Sequence, residues 1–111
     1  MGLLEMFIQR MQEGNAAALA DLFCDDAVLH DSSYVKIGKD TLHVVGKMGI
    51  EMIFHNRFGT NRGPFKITSV KIINETTAWY FIVLNNTVVP VTAFLSDVKD
   101  GKIKRLNIYP L

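Results

Sequence analysis

The sequence predicts an α+β domain with helices segregated from a largely antiparallel sheet, and three observations carry that assignment. Apolar residues recur at helical spacing in three stretches, all of them before residue 60. After residue 64 the chain turns into four strand-like runs. Asn-Glu, Asn-Asn and Lys-Asp-Gly turn signals separate those runs, as antiparallel neighbours require. With 111 residues the chain has the length of one domain, spanning 1–111, and not of two. A hydrophobic content of 49% with 21% charged residues suits a folded core and not a disordered chain.

Leu3, Leu4, Phe7, Ile8 and Met11 form the stripe of the first helix. Gly14 stops it, and Asn15 is placed to cap a second helix from Ala16 to Phe23 with Leu19, Leu22 and Phe23 on its buried side. Residues 27–31 then alternate as a short strand, followed by the polar loop "SSYVKIGKD" and the apolar piece "TLHVV". A third helix is expected from Lys47 to Arg57, with Ile50, Ile53 and Phe54 facing inward. The loop "GTNRGP" leads into the strand runs "FKITSVKIIN", "TTAWYFIVLNN", "TVVPVTAFLSDV" and "KIKRLNIYP".

The run "AWYFIVL" is apolar on both of its faces, Tyr80, Ile82 and Leu84 on one and Trp79, Phe81 and Val83 on the other. An antiparallel sheet with one solvated face alternates apolar and polar residues, so both faces should be covered. Three helices cover one. A second copy of the chain, on the face with Trp79, Phe81 and Phe94, is the expected cover of the other, giving a homodimer.

Charge excludes some partners. The net charge is +1, and the densest basic stretch, "KDGKIKR", carries its own Asp100 at a hairpin turn, so no nucleic-acid surface is expected. No apolar run reaches the length of a membrane span, and Glu5 and Arg10 break the N-terminal stretch where a secretory signal would be apolar. The single cysteine, Cys24, allows no internal disulfide and fits a reducing, cytoplasmic setting; a small buried residue is its simplest role. The three histidines and Cys24 show none of the spacings that hold metal, so neither a metal nor a cofactor is expected.

Asp31 is the residue with the most chemistry. Side chains alternate along a strand, so it shares a face with Ala27 and Leu29. A carboxylate in that row is either a strand-end turn residue or a group aimed into an apolar interior.

The stretch "EGNAAALADLFCDDAVLHD", with "GKMGIEMIFHNRF" and "DGKIKRLNIYP", resembles the nuclear transport factor 2-like superfamily, and within it the SnoaL-like polyketide cyclases and delta-5-3-ketosteroid isomerases. The resemblance covers essentially the whole chain. It implies a cystatin-like cone, a strongly curved, mostly antiparallel sheet wrapped around the three helices, with an apolar pocket inside. It also implies that Asp31 stands where the isomerases keep their catalytic base, aimed inward, with Phe7, Met11, Phe54, Tyr80, Ile82, Leu84, Ala93, Leu106 and Ile108 filling or lining the cone. The expected ligand is a small apolar, ring-containing molecule carrying a carbonyl or hydroxyl.

The same resemblance argues against the isomerase reaction. The two donors that stabilise the enolate oxygen in the isomerases fall here on Phe7 and Ala93, whose side chains donate no hydrogen bond. Loss of one such donor costs about a hundred- to a thousand-fold in turnover. Tyr80, inward on its strand, is a candidate substitute donor; Tyr34 and His43 are expected at the mouth, His55 on the third helix, and His30 facing outward. Two functions follow: a pocket protein with Asp31 as base or ligand anchor, or a non-catalytic dimeric module binding a ligand or a protein. An epoxide hydrolase mechanism ranks last, since Arg57 and Arg105 cannot be placed inside and no second inward acid exists.

Overall fold

The structure, a computed structural model, describes residues Gly2 to Leu111. Helix α1, Leu3–Glu13, buries Leu4, Phe7, Ile8 and Met11, the stripe expected from their spacing. It ends where Gly14 takes φ 75°, a conformation glycine adopts without steric cost. A Cβ there would also stand 3.2 Å from the Pro64 backbone.

Helix α2 is shorter than its apolar pattern implied, Ala16–Ala20 instead of Ala16 to Phe23. Asn15 caps it, its side chain accepting from the Ala18 N–H at 3.0 Å. The helix stops early because the following backbone is claimed elsewhere. Leu22 O accepts from Ile103 N–H at 2.8 Å, and Phe23 opens strand β1, Phe23–Asp31, opposite Ile103. Between Phe23 and Val28 the register shifts, letting Asp25 and Asp26 bulge into solvent. Asp26 there pairs with Lys104 at 2.6 Å, which holds its carboxyl down to about 2.

After β1, the stretch read as loop closes into a 3-10 turn, Ser33–Ile37, that buries Ser33 and Tyr34. Strand β2, Leu42–Val45, leads to helix α3, Lys47–Thr60, one turn longer than expected and burying Phe58 besides Ile50 and Phe54. Gly49 allows this helix to lie close to β2, since a Cβ there would meet the Val44 side chain at 3.0 Å.

Strands β3, Ile67–Ile72, β4, Thr77–Leu84, β5, Thr87–Lys99, and β6, Lys102–Pro110, complete a six-stranded open sheet in the order β2-β1-β6-β5-β4-β3. All pairings are antiparallel except β1 with β6, which run parallel. The α+β cone is therefore mixed at its centre and antiparallel elsewhere.

The helices cover one face. On β4 the inward residues Ala78, Tyr80, Ile82 and Leu84 are buried, whereas the outward Trp79 and Phe81 keep 42% and 41% of their surface. Phe94 of β5 and Tyr109 of β6 lie on the same outer face at 40% and 42%, Thr92 pairing Trp79 on one side and Tyr109 on the other. Tyr109 joins the aromatic set that the alternating pattern had identified.

Candidate functional site

Asp31 closes β1, and its backbone position opposite Ile108 on β6 and Leu42 on β2 sends its side chain toward the helices. Both readings of the residue hold together. It lies inward, largely buried, and it also accepts two hydrogen bonds from Ser33, from the backbone N–H at 2.9 Å and from Oγ at 2.5 Å, folding the chain into the 3-10 turn. Burial pushes the carboxyl above its ordinary value, against the Ser33 hydrogen bonds and the charges of His30 and Arg57 that pull it down.

Two phenols surround this acid electrostatically. Tyr80 is fully buried, and desolvation holds its hydroxyl well above the usual range, with the charges of Asp31 and Tyr34 adding to the effect. Tyr34 is pushed up to about 12, by burial first and by Asp31 second, while Arg57 pulls it back. The Arg57 guanidinium stacks on the Tyr34 ring, 4.9 Å from its centroid. Arg57 went unplaced in the sequence because its position depends on a side-chain contact across 23 residues with a turn that has no periodic pattern.

The interior of the cone is packed. Phe7 meets Phe23 and Phe54 edge to face at 6.1 Å each, and Phe54, Phe58 and Phe65 continue the row toward the mouth. A side chain beside a water-sized void keeps accessible surface; Phe7, Ala93 and Leu106 keep none. Met11, Phe54, Tyr80, Ile82, Leu84 and Ile108 are buried with them in the same cluster. These residues fill the cone, and of the set expected inside it only Leu84 borders a cleft at the surface.

That cleft, about 70 Å³, opens at the mouth. The 3-10 turn and its continuation supply Tyr34, Ile37 and Lys39, and the end of α3 supplies Arg57, Thr60 and Asn61. Phe65 forms part of its wall, with Leu84 and Asn85 from the β4–β5 turn. His43 is not at this mouth. It pairs across strands with His30, the two Nδ1 atoms 3.3 Å apart, and His30 lies beside Tyr109 at 6.4 Å between ring centroids. His55 is exposed on α3.

Comparison with solved structures places this architecture. A protein from Anabaena variabilis described as NTF2-like superposes with a TM-score of 0.69 at 20% identity, over 98% of this chain and 84% of that one. This is the NTF2-like fold. A SnoaL-like protein of unknown function from Burkholderia thailandensis gives a TM-score of 0.66 at 8% identity, covering 97% of this chain and 91% of the other. A Catenulispora acidiphila protein with a ketosteroid isomerase-like fold, in complex with trimethylamine, gives 0.67 at 16% identity, covering 96% and 83%. Cystatin-like folds are among the further matches. No protein-family model and no curated protein matches the chain. No helix among the described residues is long and apolar enough to cross a membrane. The NTF2-like fold carries many chemistries, so function must be argued from the site.

Proposed function

We propose that this NTF2-like chain is a non-catalytic homodimeric module that binds a small ligand at the mouth of the cone and does not run the isomerase proton shuttle. The observation that carries this reading is the closed interior: Phe7, Ala93 and Leu106 expose no surface, so no ring system has space beside them. Asp31 has the position of a base but faces neither a substrate cavity nor an oxyanion donor at Phe7 or Ala93. The mouth cleft is the concavity that brings Arg57 and Tyr34 together. At about 70 Å³ it is well below the roughly 300–1,000 Å³ of pockets that enclose drug-sized ligands, so a ligand held there is small. The trimethylamine held by the Catenulispora acidiphila neighbour is of that scale.

The second copy belongs on the outer sheet face. Two-fifths of four aromatic side chains, each presenting about 150–250 Å², amounts to roughly 240–400 Å² of apolar surface. Val88, 60% exposed, adds to it. This approaches the roughly 450–520 Å² of apolar area in a standard interface of about 800 Å² per partner. Lys71 beside Trp79, and the His30–His43 pair at the far edge, supply a polar rim.

Two measurements test the reading. A steroid enone should isomerise no faster with the protein than in buffer, and should not raise its melting temperature. Sedimentation at micromolar concentration should give a dimer, and Trp79→Glu with Phe81→Glu should yield a folded monomer. Enone turnover above background overturns the non-catalytic assignment. A monomeric unmodified protein overturns the dimer.

A further inference from the structure

We infer that the mouth cleft selects a small monocarboxylate with a short apolar tail, an assignment that rests on the cleft being the ligand site. The lining carries two cations, Lys39 and Arg57, and no acid. Neither cation takes part in an ion pair among the described residues, where the salt bridges are Arg10–Glu13, Lys47–Asp21 and Lys104–Asp26. Arg57 Nε is buried and has no hydrogen-bond partner, so the guanidinium is only partly satisfied by its stacking on Tyr34.

The neighbouring carboxyl does not neutralise it. Asp31 lies outside ion-pair distance of Arg57, and its Oδ1 is engaged by the Ser33 N–H and Oγ. The positive charge at the mouth therefore remains available to an anion from solvent. A guanidinium recognises a carboxylate through a planar fork of donors, and Lys39 adds a point charge beside it. Ile37, Phe65 and Leu84 line the same cleft and suit a few methylenes. The volume of about 70 Å³ excludes a larger tail.

Propionate, propionamide and propylamine share one shape and differ in charge, so titrating each into the isotope-labelled protein separates the cases. Propionate should shift the Arg57 Nε–Hε signal and the backbone amides of Phe65 and Leu84, saturably, and at least about tenfold more tightly than the amide or the amine. Lys39→Gln, at an exposed position, should weaken propionate by about two- to fivefold without disturbing the fold. Arg57→Gln should abolish it. If the amide or the amine binds the cleft as tightly as propionate, the carboxylate assignment is wrong while the ligand site stands. If none of the three perturbs the cleft, both the assignment and the site fall.

Discussion

Ala93→Asp is expected to destabilise the protein by about 3–5 kcal/mol at pH 7, a large part of the roughly 5–15 kcal/mol of a small domain. The substitution places a carboxylate where the isomerase resemblance puts a donor. Ala93 sits between Ala78 of β4 and Ile108 of β6, with no accessible surface and no polar group opposite it in either strand pair. The new acid would be both overpacked and desolvated, with no polar residue directly opposite it to pair its charge. Its folded pKa would rise above the unfolded one, so the penalty grows as pH increases and is partly relieved near pH 4. Adding Phe7→Tyr makes matters worse, because the ring edge packs on Phe23 and Phe54 and leaves the hydroxyl no partner. Urea unfolding at pH 4 and pH 7 measures the effect. A loss under about 1 kcal/mol at pH 7 would mean that Ala93 borders free space and that the cone is open.

Such a result would bear directly on the missing oxyanion donors. The isomerase resemblance implies donors and a base around a cavity; here Phe7 and Ala93 are packed in the core. Restoring the donor residues should therefore cost stability without creating turnover. Sequence resemblance assigns the positions, but their function depends on whether space exists between them.

Local pattern made much of the fold legible. The α1 stripe, the alternating β4 and the inward parity of Asp31 each depend on a period of 3.6 or 2 that neighbouring residues display. Phe23 was misassigned because Leu19, Leu22 and Phe23 fit a helix equally well. What decides its conformation is Ile103, paired with it across the sheet from 80 positions away. The same holds at the site. Asp31 was visible as a carboxylate in an apolar row, whereas Arg57 becomes a site residue only by stacking on Tyr34. Whether nine residues line a pocket or fill it depends on ring packing that identity and spacing leave open, and Phe7, Phe54 and Phe58 close it.

Asp31→Asn is expected to raise the melting temperature at pH 7 and to give no gain, or a small loss, at pH 4. The sign follows from the direction of the shift. Desolvation by burial raises the folded pKa of Asp31 above its unfolded value, and it outweighs the Ser33 hydrogen bonds and the charges of His30 and Arg57. A group of this kind is fully stabilising below its unfolded pKa, and that contribution is lost as pH rises through the folded pKa. That contribution therefore diminishes between pH 4 and pH 7, and an uncharged isostere avoids the loss. Asn keeps an oxygen that can accept from both the Ser33 N–H and Oγ, so the turn after β1 survives. Below pH 4 both side chains are neutral, and Asn must find a place for an extra N–H donor, which removes any advantage. Asp31→Ala separates turn from charge: it also removes the buried charge but leaves the Ser33 donors unpaired, and should melt below Asp31→Asn at both pH values. If the Asn variant melts lower at pH 7 than the unmodified protein, Ser33 and Arg57 outweigh desolvation, and Asp31 is a charged turn residue despite its inward position.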